Sequence, residues 1–93
     1  MTHYLKLWPQ FFEDILRGEK TFELRRSEER GFRPDDILCL QEWNPDIQEY
    51  TGREMRRRVT YAVFGPRWGL HDGWICMALG AVRADTEAGK EDE

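Results

Sequence analysis

Lys20, Glu23 and Arg25 are the residues whose types and spacing point most directly to chemistry. They lie in the stretch Gly18-Glu19-Lys20-Thr21-Phe22-Glu23-Leu24-Arg25. On a strand, Thr21, Glu23 and Arg25 share one face, and Phe22 and Leu24 take the other. The apolar pair is expected to face the core. The opposite face then presents a hydroxyl, a carboxylate and a guanidinium in a row, with Lys20 at the strand entrance. Glu23 and Arg25 can pair, each favouring the charged form of the other. With a ligand, Lys20 or Arg25 can grip a phosphate, while Glu23 accepts a hydrogen bond from a base amine or orients a water. The plainer alternative is a structural salt-bridge cluster.

Other candidates are more dispersed. Arg67 and Trp68 sit between Gly65 and Gly69. A guanidinium and an indole in such a loop can clamp and stack a base. Trp8 and Trp43 can stack in the same way, or anchor a core. Arg56-Arg57-Arg58 is either a charged edge that resists aggregation or a set of phosphate contacts. Two histidines, His3 and His71, do not make a metal site. Cys39 and Cys76 have no cysteine or histidine at metal-ligand spacing. They read as two buried thiols in a reducing compartment.

Short elements must position these groups. His3-Tyr4-Leu5-Lys6-Leu7 alternates and predicts a first strand with His3, Leu5 and Leu7 on one side. Pro9 suits the first position of a helix. Phe11, Phe12, Ile15 and Leu16 form its apolar stripe, and Gly18 ends it. The motif strand, residues 20–25, follows. Arg26 to Asp36 is a charged loop from which Phe32 tucks into the core. Ile37-Leu38-Cys39-Leu40 reads as a strand buried on both sides, extended by Gln41-Glu42-Trp43. Asn44-Pro45-Asp46 is a turn and Tyr50-Thr51-Gly52 closes the hairpin. Residues 54–64 form a long strand with Met55, Val59, Tyr61 and Val63 on one face. After the glycine-rich loop, residues 74–79 form the last strand. About five strands with one short helix after the first predict a mainly β (α+β) fold, a small and partly open β-barrel.

Ninety-three residues suit one domain. Five Phe, four Trp and three Tyr can fill a single core. The net charge of −4 comes from the end of the chain. Residues 84–93 hold five acidic residues against Lys90, so residues 1–83 balance at 13 basic and 13 acidic. We therefore expect a domain over 1–83 and an acidic, disordered tail over 84–93. The neutral body disfavours tight, non-specific duplex binding, which needs a basic face. Within it Arg outnumbers Lys eleven to two, a bias suited to bidentate phosphate contacts and ring stacking. No segment resembles a signal peptide or approaches the ~20 apolar residues of a membrane span. The expected location is cytoplasmic.

The motif residues match the Gly-x-Lys-x-x-Glu-x-Arg pattern of ASCH domains, relatives of the PUA family of RNA-binding barrels. The chain also resembles a set of small stand-alone bacterial and phage ASCH-like proteins. The shared features are His3-Tyr4-Leu5-Lys6, Pro9-Gln10-Phe11-Phe12, Tyr50-Thr51-Gly52-Arg53-Glu54, Val59-Thr60-Tyr61 and Gly69-Leu70-His71-Asp72-Gly73-Trp74. Together they span most of residues 3–80. Asp35-Asp36 stands where those proteins usually have Gly-Asp, and Asp tolerates the left-handed backbone better than most residues.

The resemblance implies a PUA-like barrel with its helix beside a cleft that the motif lines. It also implies RNA or nucleotide binding. In the acetylcytidine amidohydrolases of the superfamily, a motif lysine and a threonine three residues later carry the chemistry, assisted by a later glutamate. Lys20 matches the lysine, but Glu23 holds the threonine position and Thr21 is out of register. No acidic residue lies between Glu54 and Asp72 to fill the third role.

Three functions follow. The first is an RNA- or single-strand-binding module using Lys20, Thr21, Glu23 and Arg25, with Arg67 and Trp68 at the rim. The second is a hydrolase of a modified base or nucleoside, with Lys20 and Glu23 catalytic. The third is a protein-interaction module. No cofactor, metal or membrane is implied, and the oligomeric state is open.

Overall fold

A computed structural model describes residues 1–26 and 31–82. The expected acidic tail over 84–93, and residues 27–30 of the charged loop, lie outside the described residues.

The elements follow in the order β1 (Thr2–Leu7), α1 (Pro9–Leu16), β2 (Phe22–Arg26), β3 (Ile37–Asn44), β4 (Glu49–Phe64) and β5 (Trp74–Gly80). The strands form one sheet in the order β1-β3-β4-β5-β2, curled into a half-barrel. β1 pairs parallel with β3, and the other neighbours pair antiparallel. β1 and β2 are therefore the two edges, and the half-barrel stays open between them. No described helix is long and apolar enough to cross a membrane.

Local signals account for most of the elements. In β1, His3, Leu5 and Leu7 are buried while Tyr4 and Lys6 are exposed. Pro9 opens α1, whose Phe12 and Ile15 are buried. Gly18 follows at φ 83°, where an L side chain is strained. Ile37 to Leu40 are all buried, and Phe32 joins them from the loop. Asp35 adopts φ 75°, so the left-handed position expected at Asp35-Asp36 is filled without glycine. Leu5, Leu7, Phe12, Leu38, Leu40, Met55, Val59, Ile75 and Met77 are among the core side chains that close inside the curl.

Three expectations are corrected. First, the faces of β2 are reversed. Phe22 is 43% exposed and Leu24 44%, whereas Glu23 is 3% exposed. The register places Glu23 opposite Met77 and Arg25 opposite Ile75. Opposed residues share a face, and both β5 partners are core residues. Glu23 and Arg25 thus point inward, and two cations compensate the buried carboxylate. The strand also begins at Phe22, leaving Thr21 exposed just before it. There the Thr21 carbonyl accepts the Leu79 N–H at 2.9 Å.

Second, Tyr50-Thr51-Gly52 belongs to β4 rather than to a closing turn. The turn lies at Pro45 to Gln48, with Gln48 at φ 55°. Third, the β4–β5 register shifts between Val59 and Tyr61. The extra residue flips the alternation. Tyr61 turns outward at 68% exposure, and Ala62 packs on the core in its place. The outward face of β2, β5 and β4 then aligns Phe22, Ala78 and Tyr61 in one row and Leu24, Cys76 and Val63 in the next. Cys39 is buried, but Cys76, on this face, is only half-buried.

Candidate functional site

Lys20 is set by the end of α1. The carbonyl of Asp14 accepts the backbone N–H of both Glu19 and Lys20, at 2.9 and 3.0 Å. This winds the chain past Gly18 and starts β2 at a fixed place. From there the Lys20 ammonium donates to the Phe22 carbonyl at 2.8 Å and to Glu23 Oε1 at 2.7 Å. The other carboxylate oxygen, Glu23 Oε2, accepts from Arg25 Nε at 2.7 Å. Arg25 Nη2 then reaches across the open seam and donates to the Lys6 carbonyl of β1 at 2.6 Å. A side chain thereby joins the two edges that no backbone ladder joins.

A cleft of about 760 Å³ lies along this seam. Lys20, Glu23 and Arg25 line it, and Lys6 and Arg26 are the other two cationic residues of its lining. Trp8, Phe11, Phe22, Phe32 and Trp74 supply its aromatic walls. The Phe11 and Phe22 ring centroids lie 5.7 and 5.0 Å from the Lys20 ammonium. The size falls within the ~300–1,000 Å³ of small-ligand pockets.

The other sequence candidates lie elsewhere. Thr21 is not part of the cleft lining, and neither are Arg67 and Trp68. The last two occupy the β4–β5 loop, where Arg67 bridges to Leu70 and Trp68 is 75% exposed at φ 60°. That loop folds tightly, since a Cβ on Gly65 would collide with the His71 carbonyl. Arg56 and Arg57 border a separate hollow with Ala81 and Val82. Arg58 pairs with Asp35 at 3.2 Å. None of the three arginines lines the motif cleft. Trp43 packs edge-on against Tyr50, and the Lys6 ammonium sits 3.8 Å from its ring centroid. His3 is buried in a structural pair, described next, and His71 is exposed.

Two further carboxylates, Glu42 and Asp36, are buried. Glu42 accepts from Thr51 Oγ1 at 2.6 Å and from Arg53 Nε and Nη2 at 2.9 and 3.0 Å. Arg53 also donates to Glu13 of α1 at 2.6 Å and stacks on Phe12, 4.7 Å from the ring centroid. The Arg53 hydrogen bonds hold the Glu42 carboxyl below its ordinary range against the opposing effect of burial, and Thr51 adds to them. Asp36 accepts from His3 Nε2 at 2.8 Å, the Arg33 N–H at 3.0 Å and the terminal amine at 3.2 Å. Burial pushes the Asp36 carboxyl up, but these hydrogen bonds together outweigh it and hold the group low. The signal for Glu42 was the pairing of an acid on one hairpin strand with a basic residue on the next. It becomes visible only when β4 is begun at Glu49. Among the described residues there is no group of three or more His, Cys, Asp or Glu placed to hold a metal.

Comparison with known proteins assigns the family. Residues 2–79 match the domain of unknown function DUF3850. This chain belongs to the DUF3850 family. The match takes in β1 to β4, β5 as far as Leu79, and the whole Lys20–Arg25 motif. The chain is also similar to the "Uncharacterized 12.9 kDa protein in GpA 3'region" of Escherichia phage P2, at 34% identity over 58 residues. That stretch is 62% of this chain and 50% of the phage protein, so the matched segment spans half the relative's length.

Proposed function

We propose that this DUF3850 domain binds a nucleotide, free or as a unit of single-stranded RNA, in the cleft between β1 and β2. The observation that carries the reading is the cleft itself: a buried carboxylate held between two cations, surrounded by aromatic rings, in a volume that suits one nucleotide. Aromatic walls stack a base regardless of its sequence. Lys20 and Arg25 supply donors and positive charge, and Glu23 accepts a base N–H. Arg26 at the rim favours a phosphate. Placing the half-barrel among the PUA-like barrels is part of the same proposal, and rests on the Gly-x-Lys-x-x-Glu-x-Arg motif lining its cleft.

The test is a binding titration of the whole chain with ribonucleoside monophosphates and with short single-stranded RNA and DNA, followed by tryptophan fluorescence at two salt concentrations. Binding that weakens as salt rises, and that is lost in Lys20→Ala, is the expected result. Salt-independent failure to bind any of them would remove the reading. Turnover of a modified nucleoside, lost in Glu23→Gln while the fold persists, would turn it into a hydrolase.

A further inference from the structure

We infer that the cleft selects an imide edge, an N–H flanked by two carbonyls, as in uracil, thymine and xanthine. The inference rests on the nucleotide-binding reading and names the base class that the site would take.

The argument is a count of hydrogen-bonding groups. Along the cleft the order is Lys20 ammonium, Glu23 carboxylate, Arg25 guanidinium, joined by contacts of 2.7 Å on each side. This is a donor, an acceptor and a donor. An ammonium has three N–H groups, and two are used here, on Glu23 and on the Phe22 carbonyl. A guanidinium has five, and two are used, on Glu23 and on the Lys6 carbonyl. The carboxylate has about four acceptor sites, and Lys20 and Arg25 take two. Each member of the row therefore keeps capacity after its bonds within the fold are made.

The complement of donor–acceptor–donor is acceptor–donor–acceptor. The pairing edge of uracil and thymine is O4, N3–H and O2, which has that order. Xanthine offers O6, N1–H and O2. Cytosine presents donor, acceptor, acceptor, and guanine presents acceptor, donor, donor. Adenine has a donor and an acceptor only. With the ring nitrogen N3 or N1 set against Glu23, as the imide edge sets its N–H, each of these three puts at least one like group against the row, two donors or two acceptors face to face. The row also fixes polarity, because both imide carbonyls meet a cation and the N–H meets the anion. Phe11 and Phe22 stand near the Lys20 end, so a planar base that reads Lys20 has aromatic surface beside it.

The decisive experiment is isothermal calorimetry of the whole chain with UMP, dTMP, XMP, CMP, AMP, GMP and N3-methyl-UMP. N3-methylation removes the central donor and leaves the rest of the ligand in place. UMP, dTMP and XMP are expected to bind, with the other four about tenfold or more weaker, as expected where a directional base contact is lost. Equal affinity for UMP and dTMP, which differ at the ribose 2′-hydroxyl and the C5 methyl, assigns recognition to the imide edge they share. N3-methyl-UMP binding as well as UMP, or CMP binding as well as UMP, would overturn the imide assignment and leave the cleft a nucleotide site. No binding by any ligand would overturn the nucleotide reading itself. Glu23→Gln, checked for folding by its amide spectrum, is expected to erase the preference for UMP over N3-methyl-UMP. If that variant does not fold, the comparison of the two ligands on the native chain still decides.

Discussion

Glu23 and Glu42 are both buried carboxylates held by an arginine on the sheet, yet they serve the molecule differently. Around Glu42, Thr51 and Arg53 contribute three hydrogen bonds, and Arg53 also donates to Glu13, packs on the Phe12 ring and does not line the motif cleft. The cluster staples the β3–β4 hairpin to α1, and its bonds are made within the fold. Around Glu23, the two cations face a cleft and keep unused N–H groups after their bonds are made. A buried acid with a basic partner is therefore not by itself a functional mark. Capacity left over, turned toward a space that a ligand can fill, is what separates the two.

The largest expected effect lies on the stapling side. Glu42→Ala removes the three hydrogen bonds from Thr51 and Arg53, one partner of which is charged, and the expected loss is about 2 kcal/mol in urea unfolding. Ligand affinity of the folded protein stays unchanged. A loss of affinity in that variant would break the division between the regions. On the other side, Lys20→Ala is expected to weaken nucleotide binding about tenfold, the value of one charge-assisted hydrogen bond, with a smaller change in melting temperature than Glu42→Ala.

Acid should sharpen the contrast further. Asp36 and Glu42 are both held low in the folded state. For a depressed carboxyl, the stabilisation is complete above the unfolded value, about pH 4. It is lost as pH falls through the folded value, because the unfolded chain then binds more protons. Urea midpoints measured from pH 6 down to pH 2.5 should hold steady at first and then fall. In Glu42→Ala the fall should be shallower. The smallest effects are expected at Arg67→Ala and Trp68→Ala, in an exposed loop outside the cleft lining. There stability should move by no more than about 0.5 kcal/mol, and nucleotide affinity should not move.

Legibility in the sequence followed how local each determinant was. β1, α1 and β3 were readable because alternation, Pro9, Gly18 and the Ile37–Leu40 run act within a few residues. The motif was readable as a chemical unit for the same reason, since Lys20, Glu23 and Arg25 are near neighbours in the chain. Its orientation was not. Hydrophobicity alone sends Phe22 and Leu24 inward, whereas the pairing of Glu23 with Met77 puts them outward, and that pairing is set 54 residues away. A one-residue register shift, which leaves no mark in composition, turns Tyr61 outward against the alternation. The Glu42–Arg53 pair was hidden because Tyr50-Thr51-Gly52 carries turn chemistry yet lies in a strand, with Gly52 at φ 95°. Arg67 and Trp68 have the types for a binding rim, but topology keeps them off the cleft lining.

The account is tested most directly by a two-dimensional amide NMR titration of the labelled protein with UMP. The two carboxylate regions report in the same spectrum. Shifts concentrated at Lys20–Arg25 and at Leu5–Trp8 across the seam, with Thr51–Arg53 unmoved, are the predicted result. Shifts at Thr51–Arg53 with none at the motif, or no shifts anywhere, would contradict it, and Lys20, Glu23 and Arg25 would then be a structural clasp between β1 and β2.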